Sequence, residues 1–154
     1  MSNEWLVRLA EDKDVQSLAQ FNVALAWETE HKKLELSVVT RGVRGLLENP
    51  NHGFYTVAET AGEVAGCTMI TYEWSDWRCG LFWWIQSVYV KPEFRRQKVF
   101  SRLYEFLRER ASRESNVCGF RVYVEGANHS AQKTYSQMGM EQTTYKLYEK
   151  LFEE

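Results

Sequence analysis

Apolar positions recur along this chain with two alternating periods. Trp5 to Leu9 alternates and reads as a short strand. Asp12 then offers a side-chain cap to a helix running to about Trp27, with Val15, Leu18, Phe21 and Leu25 on one face. A second helical period spans Leu36 to Leu47 through Val39, Val43, Leu46 and Leu47, and Asn49-Pro50-Asn51 ends it. Phe54 to Glu59 returns to strand character. Thr60-Ala61-Gly62-Glu63 turns the chain into a partner strand, Val64 to Glu73. After a polar loop, Ser75 to Gly80, the stretch Leu81 to Val90 is almost wholly apolar, as a strand buried on both faces requires. Lys98 to about Ser115 is helical, with Val99, Leu103, Phe106 and Leu107 as its stripe. Phe120 to Val124 is a strand, and His129 to Met138 a helix stopped by Gly139. Thr143 to Phe152 alternates around Tyr145 and Leu147 and reads as a last β segment.

The resulting order is β-α-α-β-β-β-α-β-α-β. An antiparallel meander followed by a βαβ crossover makes an α/β protein, with a mixed sheet and helices on both faces. There is no repeat, linker or low-complexity tract, so 1–154 is expected to be one domain. With 154 residues and 44% hydrophobic content, a sizeable core is available.

Charge and cysteine usage narrow the function. The formal net charge of -2 argues against general nucleic-acid binding. The absence of a long apolar run argues against a membrane span, and Met1-Ser2-Asn3-Glu4 does not open a signal peptide. A cytoplasmic protein is the expectation. Cys67, Cys79 and Cys118 have neither the number nor the spacing of a disulfide framework or a zinc site. Trp74, Trp77, Trp83 and Trp84 cluster on neighbouring segments, as core, interface or pocket lining.

The chemistry concentrates where the long strand ends. Lys91-Pro92 closes it, Arg95-Arg96-Gln97-Lys98 forms a basic turn, and Val99-Phe100-Ser101 opens a helix. A helix N-terminus presents unpaired N–H groups and a partial positive charge, so this is a site for a phosphorylated ligand. A nucleotide-binding P-loop is a weaker reading, because no Gly-x-x-x-x-Gly-Lys-Ser/Thr is present.

Residues 95–100 resemble the Arg/Gln-x-x-Gly-x-Gly/Ala motif of the GNAT N-acetyltransferase superfamily, with Lys98 and Phe100 at the two glycine positions. Residues in a first helical turn need no positive φ, so these replacements are expected to leave the backbone amides in place. Asn128 through Met140 resembles the family's Asn-x-x-Ala-x-x-x-Tyr-x-x-x-Gly-Phe segment, with Met140 for Phe. The resemblance covers nearly the whole chain in element order. It implies a mixed sheet of about six to seven strands flanked by about four helices.

It also implies acetyl-CoA as co-substrate and a primary amine as acceptor. The backbone of Val88, Tyr89 and Val90 would pair with pantetheine. Arg95, Arg96, Gln97, Lys98, Val99, Phe100 and Ser101 would meet the pyrophosphate, and Asn128 would contact the cofactor. Tyr135 would be the general acid, its alternative being a tyrosine that covers the sheet. The base is open among Glu73, Asp76, Glu125, Glu28 and Glu30, with Glu73 favoured, or water serves. Glu28, Glu30, Glu73, Asp76 and the tryptophans suggest a pocket for a small cationic amine. A homodimer fits the family and the aromatic excess. The alternative function is a non-catalytic acyl-CoA-binding module, or a fold that has lost its cofactor.

Overall fold

The computed structural model describes residues 4–152, so Met1, Ser2 and Asn3 of the leader reading lie outside it. The chain divides into two compact units, one up to Val122 and one from Tyr123 onward.

The first unit holds a five-stranded sheet in the order β1 (Leu6–Leu9), β2 (Gly53–Thr60), β3 (Glu63–Ser75), β4 (Gly80–Val90), β5 (Val117–Val122). The first four strands pair antiparallel, and β5 joins β4 in parallel. Between β1 and β2 run α1 (Val15–Glu30) and α2 (Leu36–Glu48), and α3 (Val99–Ser112) makes the crossover from β4 to β5.

The sheet separates two apolar layers. Leu18 and Phe21 of α1 and Val43 of α2 pack on Tyr55, Val57, Cys67 and Tyr89. On the other face, Leu107 of α3 meets Ile70, Trp83 and Ile85, while Val99 and Leu103 meet Ala58. Trp83 and Ile85, two apart on β4, face the second layer, and an extra residue in β4 between Gln86 and Tyr89 shifts the alternation so that Tyr89 faces the first. Of the clustered tryptophans, Trp83 is core, ringed by Phe54, Tyr72 and Phe120, whereas Trp74 and Trp77 are exposed.

Asp12 does not cap α1. Residues Asp12–Asp14 form a 3-10 turn and α1 starts at Val15. Asp14 is the residue drawn inward, because Arg8 of β1 donates to both its carboxylate oxygens, at 2.7 and 3.0 Å, and the Glu11 N–H donates at 2.7 Å.

The second unit contains α4 (His129–Gln137). It ends as expected at Gly139, whose φ is +89°. The Met140 N–H reaches the Tyr135 carbonyl at 3.0 Å and the Gly139 N–H reaches that of Ser136 at 3.0 Å, which is a Schellman closure.

Among the described residues the sheet has five strands, not six or seven. Thr143 to Phe152 forms no strand, and Tyr145, Leu147, Tyr148, Leu151 and Phe152 are exposed. Alternation supplies a face but not a ladder partner, and strand preference expresses packing against neighbours rather than a backbone tendency.

Candidate functional site

The outer edge of β4 changes character halfway along. Pairing with β5 runs from Leu81 to Ile85, opposite Val117 to Val122, and stops there. On the β3 side, Cys67 faces Tyr89 but Met69 faces Gln86, so β4 carries one extra residue. Ser87 absorbs it with φ +50°, and its carbonyl accepts from the Cys67 thiol at 3.4 Å. Beyond the bulge the Lys91 N–H points to β3, donating to the Ala65 carbonyl at 2.8 Å. Strand alternation therefore turns the N–H and C=O of Val90, and of Val88 before it, toward the outer edge. The side chains of Val88, Tyr89 and Val90 are spent on the core, and the backbone is what this edge offers.

The basic turn follows. Pro92–Phe94 make a 3-10 turn closed by the Arg95 N–H on the Pro92 carbonyl at 3.3 Å. Arg96 and Lys98 then adopt left-handed backbone, φ +64° and +60°. This corrects the expectation that the turn needs no positive φ. Lys98 is the N-cap of α3 rather than its first residue, and it holds the conformation that glycine adopts without strain. Its side chain makes no capping bond, and the first turn holds no acidic residue. The Arg102 N–H is bonded to the Lys98 carbonyl at 3.1 Å, so the amides of Val99, Phe100 and Ser101 precede the intrahelical ladder and face the turn. The Phe100 ring lies along α3 against Tyr104, centroids 6.3 Å apart. Gln97 donates to the Glu93 carbonyl at 3.2 Å, bracing the turn.

Left-handed backbone at a non-glycine residue costs about 1–2 kcal/mol. Lys98→Gly relieves it and gives back part through a freer unfolded chain. A net gain of up to about 1 kcal/mol is expected, with Tm rising by roughly 2–4 °C. A lower Tm in a thermal melt would mean that the lysine stem packs more usefully than the backbone strains.

Arg95 is committed to protein partners. Its Nε donates to the Val90 carbonyl at 2.9 Å and its Nη2 to Glu28 Oε2 at 2.7 Å, and the guanidinium lies 5.5 Å from the Tyr89 ring centre. The Tyr89 hydroxyl donates to Glu28 Oε1 at 3.3 Å. Burial, followed by the Glu28 charge, pushes this phenol above its usual range, so it keeps its proton and remains a donor.

Glu73 is similarly occupied. Its Oε1 accepts from Arg121 at 2.6 Å and from Trp84 Nε1 at 3.0 Å. Arg121 is stacked 3.7 Å from the Phe82 ring centre. An amine proton arriving at Oε1 would compete with a guanidinium already seated there. Arg121 and Ser87 were not singled out in the sequence. An arginine between Phe120 and Val122 in a strand needs an acidic partner and so was detectable, whereas nothing local marks the bulge. Asp76 is on the exposed β3–β4 turn.

In the second unit, Asn128 caps α4 by accepting the Ala131 N–H at 3.1 Å. Glu125 accepts the Ala127 N–H at 2.8 Å. Burial pushes the Tyr135 phenol above its ordinary value. Cys67 is fully buried and burial raises its thiol to about 12, which removes it as a nucleophile at neutral pH. Among the described residues no group of His, Cys, Asp and Glu has metal-site geometry. No helix among them is long and apolar enough to cross a membrane.

Comparison with known proteins bears on this arrangement. The family described as "Acetyltransferase (GNAT) family" matches residues 13–140. A crystal structure of "a possible acetyltransferase from Clostridium difficile 630" is 40% identical, with TM-score 0.91 over 97% of this chain and 99% of that one. Glucosamine-6-phosphate N-acetyltransferase from Arabidopsis thaliana shares the fold at 16% identity, with TM-score 0.72 over 97% of this chain and 99% of its own. An aminoglycoside N-acetyltransferase, AAC(6')-Iy, in complex with CoA does so at 13% identity, with TM-score 0.74 over 98% and 97%. A search of curated protein sequences found no match.

Proposed function

The chain belongs to the GNAT acetyltransferase family, and from that premise we propose that it is an acetyl-CoA-dependent N-acetyltransferase acting on a small cationic amine. The observation that carries the reading is the outer edge of β4, released from β5 after Ile85 and leading directly to an α3 N-terminus without a side-chain cap. An extended amide-bearing tail pairs with such an edge by strand addition. A diphosphate suits the amides of Gln97 to Ser101, with Arg96 and Lys98 adding charge. The residues that would hold acetyl-CoA are thus Val88 and Val90 through their outward-facing backbone and the 96–101 turn, while the backbone of Tyr89, one step out of phase, turns to β3. The CoA bound to the aminoglycoside N-acetyltransferase of the same fold supports acetyl-CoA as the ligand.

Bound acetyl-CoA supplies an activated acetyl group as a thioester. The remaining work is positioning and proton management. The amine nitrogen attacks the carbonyl carbon, the C–S bond breaks, and Tyr135 gives the leaving sulfur its proton. The amine releases its own proton to water. Glu73, with Arg121 on it, is better fitted to fix the sheet face than to take that proton.

With Glu73 paired to Arg121, the cationic preference rests on Asp76 and the exposed Trp74 and Trp77 around the β3–β4 turn, which attract cations by charge and by aromatic faces. Spermidine and kanamycin are expected to release thiol from acetyl-CoA at least about tenfold faster than an amine of similar size with a neutral tail. Equal rates across that panel would remove the cationic preference and leave the transferase reading intact. A second reading, a non-catalytic acyl-CoA-binding module, is favoured by Lys98 and Phe100 at glycine positions. CoA binding in calorimetry without thiol release over the panel would select it.

A further inference from the structure

Arg95 opens the basic turn, yet the partners it has taken belong to β4 and α1. We propose that Arg95, held by Glu28, is a positioning residue that fills the outward-facing carbonyl of Val90 and so sets where along β4 an extended ligand comes to rest. The inference rests on the acyl-CoA reading above and adds a register stop to it.

A strand edge offers its outward groups at every second residue. A ligand that adds to it can therefore slip by two residues, about 7 Å, and still find donors and acceptors. Here the outward groups past the bulge are those of Val88 and Val90. The Arg95 Nε already occupies one of the acceptors, at 2.9 Å. A register that needs the Val90 carbonyl is blocked, and the one centred on Val88 is left.

The stop is itself anchored. Glu28 Oε2 holds Nη2 at 2.7 Å, while Oε1 accepts the hydroxyl of Tyr89, whose ring is packed into the core beside Phe21 at 5.2 Å. Glu28 stands near the end of α1, just before the left-handed cap at His31. A rigid helix end, a core tyrosine and a strand carbonyl thus fix one guanidinium, in the planar fork geometry that lysine cannot reproduce.

A phosphate-binding arginine and a register stop differ in what they do to kinetics. Arg95→Gln, Glu28→Gln, the two together, and an Arg96→Ala/Lys98→Ala pair would be compared by calorimetric titration with CoA and by thiol release from acetyl-CoA with the best amine of the panel. The stop predicts that Arg95→Gln and Glu28→Gln keep the CoA Kd within about threefold and lower kcat about tenfold or more, since misplacement by about 1 Å is costly. The double variant should add little to Arg95→Gln alone. The Arg96/Lys98 pair should instead weaken CoA and flatten its salt dependence. If Arg95→Gln weakens CoA as much as that pair does while Glu28→Gln does nothing, Arg95 is a phosphate ligand and the inference is overturned. Unchanged kcat in both single variants overturns it too. Should Arg95→Gln fold poorly, Glu28→Gln at the exposed partner carries the same readout. A wild-type protein that fails to bind CoA would sink this inference together with the function it rests on, whereas the other two negative results leave that function standing.

Discussion

Tyr135→Phe is expected to lower kcat about a hundredfold, the scale of a lost general acid, and to leave KM for acetyl-CoA within about a factor of two. The change removes one hydroxyl and keeps the ring, so packing survives while the proton donor does not. Burial holds the phenol above its usual value of about 10. The donor form therefore persists through neutral and mildly alkaline pH, and Tyr135 should impose no fall in kcat on the basic side below about pH 10. Steady-state kinetics of thiol release between pH 6 and 9.5, with the best amine of the panel, reads both quantities. A kcat reduced less than threefold would return Tyr135 to the role of a ring that covers apolar surface. A raised KM with unchanged kcat would make it a binding residue rather than an acid.

How far such residues could be found without coordinates depended on whether their cause was local. The helices and the meander follow from period, and the Gly139 stop follows from a backbone that only a few residues tolerate. Arg96 and Lys98 were recognisable as a basic turn, but their left-handed backbone was not, because the usual marker of that conformation is glycine and neither is one. The bulge at Ser87 arises from the mismatch between β3 and β4, a property of two strands together. The pairings of Glu28, Glu73 and Arg95 were invisible for a related reason. Each was weighed by its own charge, and each is paired with a residue distant in sequence, Glu28 with Arg95 and Glu73 with Arg121. Charge patterns reveal that ions are present. They do not reveal which ions are already spent on one another. The C-terminal alternation failed in the opposite direction, since a good local signal met no ladder.

The pair that Arg8 makes with Asp14 leads to the largest stability effect expected in this protein. Asp14 is almost wholly buried, and it ties β1 to the start of α1. Desolvation alone would raise its carboxyl, but the Arg8 guanidinium and the Glu11 N–H outweigh burial and hold it below the usual carboxylate range. Asp14→Ala removes the acceptor of three N–H bonds and leaves Arg8 leaning on Glu59 and Glu11. Breaking a buried pair by deleting one partner costs about 3 kcal/mol or more, because the remaining charge stays desolvated. In a chain of this size that lowers Tm by roughly 10 °C. The pH dependence has a definite sign. A carboxyl depressed on folding contributes stability that is complete above its unfolded pKa, about 3.9, and that vanishes as pH falls through the lower folded value. The gap between wild type and Asp14→Ala should therefore be widest at pH 5–7 and narrow below about pH 4, as wild type loses what the variant never had. Urea melts of both proteins at pH 7, 5 and 3 measure that gap. If it stays constant over this range, the aspartate acts through packing alone and the ionic account of this junction is wrong.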